Sequence, residues 1–313
     1  MKAIEIISIA LGLLVAVSGS AQDKRMAVVE TSTCYMRIAP DYESALETQE
    51  LMGTIVEIVG ESSYWREIVS PQPYKAWATE KTLVEMTSEE IQEYKEAPKY
   101  MFAELYGHIY MEPSEKSQTI CDLVGGDVMR MVHKNGKAVI KGRWAMVMLP
   151  SGKTGWVQKS AVEELGERID IRMGEGSGNM ISRERMEAII SYAHQLLGVP
   201  YLWGGMSAKG VDCSGLVRIS AIMNGVLLPR NASQMIKCGI PVQLDQLQRG
   251  DLVFFGTAAS DEKPMRVTHV GIYLGDNHII HSSHLVRINS LDPEAPDYYE
   301  NAHRLIAACR LFN

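Results

Sequence analysis

Two segments of the chain repeat one spacing of tryptophans, and this repeat constrains the fold of the N-terminal half more than any other feature. In each segment two tryptophans lie 12 residues apart: Trp65 and Trp77 in the first, Trp144 and Trp156 in the second. Each segment is typical of a strand, a polar turn and a second strand, and each follows a short β-branched stretch. We therefore predict two small all-β barrels, with two hairpins of a single β domain as the alternative.

Two irregular stretches divide the chain. The charged segment "TSEEIQEYKEAPKYM" predicts a short helix or a linker that Pro98 ends. The segment "GERIDIRMGEGSGNMIS" is polar, rich in glycine and without periodicity, so it predicts a domain boundary near residues 166–182. The predicted domains are residues 22–92, 99–166 and 180–313.

The first 21 residues run from Lys2 through an apolar stretch to small residues. This order is typical of a secretory signal peptide, and the stretch is shorter than the roughly 20 residues of a membrane span. We expect cleavage before Gln22 and an exported, periplasmic or alternatively extracellular protein without a stable membrane anchor, a retained anchor being the alternative. The net charge of −7 without a basic cluster does not favour nucleic acid as a partner.

The third domain begins with helices and ends with strands. Met186, Ile189 and Ala193 lie on one face of a predicted helix for which Ser182 is the N-cap. A second helix is predicted from about residue 213 to 224. The strands "GDLVFFG", "HVGIYLG" and "HIIHSSH" follow, the last two as a hairpin. This order predicts an α+β domain.

Polar and small residues surround Cys213 in the segment "GVDCSGLVRIS". A cysteine in the first turn of a helix faces free N–H groups and the positive end of the helix dipole, which predicts a lowered thiol pKa. Asp212 and Ser214 are typical of a helix start, while Gly210 and Gly215 permit close approach of other groups. The segment therefore indicates a nucleophile, with a structural cysteine as the alternative.

A thiolate nucleophile needs a base that also protonates the leaving amine, and histidine suits both tasks near neutral pH. His269 heads an apolar strand, and His281 lies 12 residues later across the predicted hairpin, where it could orient the first imidazole. The alternatives are ordinary strand histidines, or zinc ligands together with Cys213. We predict no metal and no cofactor. The other cysteines are interpreted as structural or incidental: Cys34, Cys121, Cys238 and Cys309.

The motifs "YLWGG", "GVDCSGLV", "GDLVFF" and "HVGIYLGDNHIIH" together resemble the NlpC/P60 family of papain-like cysteine peptidases. The tryptophan-led hairpins are similar to those of bacterial SH3-type domains. The implied fold is therefore two small SH3-like barrels followed by an α+β papain-like domain. The resemblance implies Cys213 as nucleophile, His269 as base and His281 as the orienting residue, with backbone N–H groups near Cys213 stabilising the oxyanion.

This architecture resembles the γ-D-glutamyl-L-diamino acid endopeptidases, or dipeptidyl-peptidases VI. These enzymes cut muropeptides between D-Glu and the diamino acid, and their first SH3-type domain closes the cleft and selects a free N-terminal L-Ala. The implied partner is a peptidoglycan-derived peptide, L-Ala-γ-D-Glu-diamino acid, bound by a monomer. The implied substrate contacts are Asp212, Ser214, Tyr74, Ser233, Tyr201 and Trp203.

The family also has a first-domain glutamate that binds the amine of the substrate. Ala45 occupies the aligned position here, and Glu43 and Glu47 are the available substitutes, of which we choose Glu47. Two further hypotheses stay open: an endopeptidase that acts on intact peptidoglycan with the SH3-type domains as wall anchors, and a non-catalytic wall-binding protein.

Overall fold

A computed structural model describes residues 24–71, 74–166, 169–170 and 180–313. The predicted signal peptide lies outside these residues, as does most of the glycine-rich boundary. Within the described ranges, no helix is long and apolar enough to cross a membrane.

The first repeat lies in a seven-stranded antiparallel sheet with the strand order β3-β2-β6-β5-β4-β1-β7. Its strands are β1 (Arg25–Val29), β2 (Thr33–Arg37), β3 (Leu46–Leu51), β4 (Ile55–Ser62), β5 (Trp65–Val69), β6 (Lys75–Thr79) and β7 (Leu83–Met86). Helix α1 (Ser88–Glu96) follows, and a capping box between Thr87 and Glu90 begins it. The charged segment after the first sheet is therefore a helix.

The second repeat lies in a separate sheet with the main strand order β10-β9-β16-β15-β11-β8-β17, in which β14 also pairs with β15. Its strands, with the small β12–β13 hairpin, are β8 (Tyr100–Phe102), β9 (Tyr106–Tyr110), β10 (Thr119–Val124), β11 (Val128–Met131), β12 (His133–Lys134), β13 (Lys137–Ala138), β14 (Ile140–Lys141), β15 (Trp144–Met148), β16 (Thr154–Gln158) and β17 (Val162–Glu164).

The two sheets share one topology, because each strand of the first has a counterpart at the same place in the second. The strand register also agrees. In both sheets the second tryptophan pairs with the residue two positions after the first tryptophan: Trp77 with Glu67, and Trp156 with Met146. Each sheet has its own apolar core. The sequence repeat is therefore a structural repeat.

The C-terminal part has three helices and a six-stranded antiparallel sheet of order β22-β27-β23-β24-β25-β26. The helices are α2 (Arg183–Gln195), α3 (Cys213–Ile222) and α4 (Ala232–Met235). The main strands are β22 (Ile240–Val242), β23 (Leu252–Thr257), β24 (Arg266–Gly275), β25 (His278–Ser283), β26 (Leu285–Ser290) and β27 (Leu305–Arg310). Two-residue strands form small pairs: β18 (Ile169–Asp170) with β21 (Val226–Leu227), and β19 (Met206–Ser207) with β20 (Gly210–Val211).

Local sequence signals explain most of these element boundaries. The Ser182 hydroxyl accepts the amide of Arg185 at 3.2 Å and begins α2, as predicted. Asp276 and Asn277 have φ values of +48° and +58°, the left-handed conformation of a tight hairpin turn between β24 and β25. The predicted α+β order is confirmed.

Residues of all three parts meet in the largest core. Helix α3 packs against α2 and against β24 and β25 of the six-stranded sheet, and Leu51 of the first sheet and Val124 of the second join the same buried cluster. Both N-terminal sheets therefore contact the domain that carries Cys213.

Candidate active site

Cys213 is the first residue of α3, as the sequence predicts. The Asp212 carboxylate caps the helix and accepts the Gly215 amide at 2.7 Å. Gly215 lies so close to the loop before the helix that a Cβ there would be 2.0 Å from the Gly205 carbonyl oxygen. A larger residue would displace the helix start, so this glycine fixes where the thiol lies.

The predicted lowering of the Cys213 pKa is wrong for the resting protein. Burial raises the pKa of this thiol to about 11, and the charge of Asp212 adds to the rise. The backbone amides of Val270 and Ser214 favour the thiolate, but the side chain is only 9 % exposed and loses more hydration than they replace. The helix start therefore holds a neutral thiol.

The predicted histidine pair is formed. His269 Nε2 lies 2.8 Å from His281 Nδ1, and His281 Nε2 lies 3.0 Å from Asn289 Oδ1. The Val270 amide donates to the Cys213 sulfur. His269 is the residue before Val270 and therefore lies beside the start of α3. Burial lowers the pKa of His269 to about 3 and that of His281 to about 4, so both rings are neutral at neutral pH.

The segment after β26 packs against the histidine pair through the ring of Tyr299. It returns to the strand through the bridge between Ser290 and Tyr298 and places the ring of Tyr299 edge-on to His281, with centroids 4.5 Å apart. Tyr299 also contacts His269, at 5.7 Å. Sequence reasoning did not identify Tyr299 or Asn289, because neither has a local spacing relation to the histidines.

An open cleft of about 460 Å³ lies on one side of His269 and is lined by Tyr201, Ser282, Ser283 and His284 as well. Burial raises the pKa of the Tyr201 phenol, and the proximity of Cys213 contributes to the shift. Trp203 is 65 % exposed, an unusual position for a large aromatic ring. The structure thus brings Tyr201 to the thiol and leaves Trp203 free for contact.

The first sheet supplies a second group of site residues: Glu47 on β3 and Tyr74 directly before β6. The Tyr74 hydroxyl donates to Glu47 Oε1 at 2.5 Å. Glu47 packs against the loop before α3, where a Cβ at Gly204 would lie 3.0 Å from the Glu47 carbonyl. The two predicted contacts therefore lie together near the helix start.

Arg230 joins the two parts. It donates to Asp212 Oδ1 at 3.0 Å and Oδ2 at 2.5 Å, to Ser214 Oγ at 2.9 Å and to Thr48 Oγ1 of β3 at 2.7 Å. Both Asp212 oxygens also accept backbone amides, from Gly215 and Gly204. Sequence reasoning missed Arg230, which stands just before "NASQM".

Ser233, another predicted substrate contact, is exposed on α4. Asn231, the N-cap of the same helix, hydrogen-bonds to the Tyr74 side chain, so α4 begins beside Tyr74. Among the described residues, the structure shows no such contact for the Ser233 side chain. In the described part of the chain, no group of three or more His, Cys, Asp and Glu side chains is placed to hold a metal ion.

A thiol at a helix start beside a pair of histidines, on an α+β domain, is the arrangement of a cysteine peptidase. The comparisons with known proteins agree. A profile of the NlpC/P60 family matches residues 198–304, and this part of the chain is an NlpC/P60 domain. The protein is a cysteine peptidase, a hydrolase.

Relatives extend over most of the chain. A γ-D-glutamyl-L-lysine dipeptidyl-peptidase of Bacillus cereus is 29 % identical over 264 residues, which are 82 % of this chain and 73 % of the relative. Dipeptidyl-peptidase 6 of Lysinibacillus sphaericus is 26 % identical over 297 residues, 90 % of this chain and 97 % of the relative. The crystal structure of an NlpC/P60 family protein from Bacillus cereus has a similar fold, with a TM-score of 0.73 at 22 % identity over 92 % of this chain and all of that one.

We expect His269→Ala to change how alkylation of Cys213 by iodoacetamide depends on pH. With the base removed and the pKa of the thiol near 11, the rate should be low at pH 7 and rise in proportion to hydroxide concentration. The parent protein should react faster at pH 7, because His269 can take the proton in the transition state, as the sulfur attacks the iodoacetamide. Replacing the exposed His133 is the control. Identical pH profiles for the parent and His269→Ala would exclude His269 as the base.

Proposed function

We propose that the protein is an exported endopeptidase that cleaves the bond between γ-D-Glu and the diamino acid, diaminopimelate or lysine, in muropeptides with a free N-terminal L-Ala. Its role would be recycling or degradation of cell-wall peptides. The name of the Bacillus cereus relative, γ-D-glutamyl-L-lysine dipeptidyl-peptidase, supports a γ-D-glutamyl substrate. The observation that carries the free-amine specificity is the Glu47–Tyr74 pair near the start of α3.

The charges near this pair favour an ammonium group. Arg230 compensates the charge of Asp212 through two hydrogen bonds. Glu47 accepts the Tyr74 hydroxyl, and among the described residues no Lys or Arg forms an ion pair with it. One carboxylate charge is thus left over, and a bound ammonium would neutralise it. Glu47 is therefore the main proposed partner of the amine, and Asp212 stays a predicted substrate contact in addition.

The proposed reaction uses the Cys213 thiol, His269 and the backbone amides near the start of α3. The Cys213 sulfur attacks the γ-carbonyl carbon of D-Glu as its proton passes to His269 Nδ1, and the nearby amides stabilise the oxyanion. When the C–N bond breaks, His269 gives this proton to the leaving amine of the diamino acid. Water then attacks the thioester carbonyl as His269 takes its proton. When the C–S bond breaks, His269 returns this proton to the Cys213 sulfur, so that L-Ala-D-Glu and the thiol are released.

We also propose that the two N-terminal sheets are SH3-like barrels, in domains spanning 22–92 and 99–166, before a catalytic domain spanning 180–313. The first barrel would form a wall of the cleft, which the contact of β3 with Arg230 and Gly204 supports. A cleft that the first barrel closes at one end would suit a released peptide better than intact peptidoglycan. The protein would act as a monomer in the periplasm or, alternatively, outside the cell.

Acetylation of the substrate amine tests this proposal. We expect L-Ala-γ-D-Glu-diaminopimelate to be cleaved, and its N-acetyl form to lose roughly 10- to 100-fold in kcat/KM, since a charged hydrogen bond contributes about 1.5–3 kcal/mol. Glu47→Gln should lower kcat/KM for the free-amine peptide similarly and have little effect on the acetylated one. Products are identified by mass spectrometry.

Glu43→Gln is the matched control, because Glu43 is an exposed glutamate on the loop that precedes β3. It should cleave both peptides like the parent protein. Equal cleavage of the free and acetylated peptides by the parent would contradict the proposal and favour an endopeptidase of intact peptidoglycan, whose N-terminal domains anchor it to the wall.

A further inference from the structure

The histidine pair continues into a third hydrogen-bonded side chain, Asn289, on β26. The amide nitrogen of Asn289 donates to the carbonyl oxygen of Asp297 at 2.7 Å. Its Oδ1 therefore faces His281 Nε2, at 3.0 Å, and can only accept a hydrogen bond from it. Asn289 is 8 % exposed, so water does not readily replace this partner.

The direction of this bond fixes the protons on both rings. A neutral imidazole has one N–H, and because His281 carries it on Nε2, its Nδ1 is an acceptor. His269 Nε2, at 2.8 Å from this nitrogen, must then carry the proton of its own ring. The lone pair of His269 is left on Nδ1, the nitrogen that takes the thiol proton in the proposed reaction.

We propose that Asn289 is a positioning residue that, held by the backbone of Asp297, sets the tautomers of His281 and His269 for catalysis. The inference rests on the proposed roles of Cys213 and His269. It goes beyond them by adding Asn289 to the catalytic group of Cys213, His269 and His281. The backbone that holds Asn289 belongs to the segment that folds back on the strand after β26. The Asp297 carbonyl accepts both Asn289 Nδ2 and the Ser290 amide, at 2.7 and 3.1 Å.

Asn289→Leu tests the proposal, because it keeps the branched shape of the side chain and removes the acceptor. We expect kcat to fall about 10- to 100-fold, the loss that follows removal of a partner that orients a metal-bound histidine, with KM unchanged. In 15N NMR of the resting protein with labelled histidine, the parent should show His281 and His269 protonated at Nε2 alone. In the variant, the His281 proton should be shared between its two nitrogens.

Asn289→Asp is the conservative variant, since a carboxylate still accepts from His281 Nε2. We expect it to keep the parent tautomers and more activity than Asn289→Leu. Its negative charge raises the pKa of His281, so that this ring takes up a proton at higher pH and loses its Nδ1 acceptor. The fall of kcat on acidification should therefore occur at a higher pH than in the parent. A residue that only supports the fold would not shift this profile.

Ser290→Ala is the matched control. Ser290 is the next residue, is buried and holds the same segment by accepting the Asp292 amide at 3.0 Å, but its side chain has no described contact with a histidine. It should keep the parent kcat and tautomers. Parent-like tautomers in Asn289→Leu, with or without loss of activity, would overturn the proposal. If that variant does not fold, an unshifted pH profile of Asn289→Asp overturns it.

The failure of the proposed function would give a different result. The NMR measurement needs no substrate, so it reports the tautomers even if the muropeptide is not cleaved. Conversely, a protein that cleaves the muropeptide while its histidine protons lie on other nitrogens would retain the proposed function and lose only the role of Asn289.

Discussion

We expect Cys213→Ala to abolish cleavage of L-Ala-γ-D-Glu-diaminopimelate while the protein stays folded and still binds the peptide. The expected fall in kcat is about 10⁶-fold, because without the sulfur no thioester forms and the remaining groups act only on water. The fold should persist, since the change removes one atom from a side chain at the start of α3, and Asp212 still caps the helix. Product formation is followed by mass spectrometry and binding by calorimetry.

Cys121→Ser is the control for the loss of a thiol. Cys121 is half-buried on β10 of the second sheet, away from the helix start, and its replacement should leave kcat at the parent value. Cleavage by Cys213→Ala at the parent rate would refute the assignment of the nucleophile. An equal loss of activity in both variants would contradict it as well.

We expect Arg230→Met to lower the free energy of unfolding by about 3–5 kcal/mol, because it leaves the buried Asp212 carboxylate without its cation. Asp212 would keep the hydrogen bonds from Gly204, Gly215 and Ser214, but these do not neutralise its charge. The variant also loses the hydrogen bond to Thr48, and with it a tie between the first sheet and α3. Urea unfolding followed by circular dichroism measures the change.

A surface ion pair provides the matched control. Arg249 Nε lies 3.0 Å from Glu187, and the two side chains are 42 % and 43 % exposed, so Arg249→Met should change the unfolding free energy by about 0–1 kcal/mol. In a double-mutant cycle, adding Asp212→Asn to Arg230→Met should restore part of the lost stability, since no bare charge remains. If Arg230→Met is no more destabilising than Arg249→Met, the pair does not stabilise the fold as described.

The pKa of Cys213 shows why a local pattern can give the wrong sign. The helix start and its free N–H groups are visible in "GVDCSG", and they do favour a thiolate. The burial of the sulfur depends on β24 and on the loop before α3, both of which pack around it only in the folded chain. Desolvation is the larger effect, so the thiol is neutral until a base accepts its proton.

The sequence alone determined the features that depend on neighbouring residues. The tryptophan spacing predicted the repeated hairpins, Ser182 and Asp212 the helix starts, and the Asp276–Asn277 turn the register that pairs the strands of His269 and His281. Strand alternation and helix capping act within a few residues, and their signals can therefore be read along the chain.

Only the tertiary structure decided which distant groups meet. Arg230 and Thr48 are 182 positions apart, and the fold brings them within 2.7 Å; Glu47 and Tyr74 lie beside the same helix start for the same reason. Asn289 lies within reach of His281 because β25 and β26 are adjacent, and the Asp297 carbonyl sets the direction of its amide. Such contacts arise from the packing of sheets against helices, which no local spacing encodes, and they determine the charge balance and the proton positions of the site.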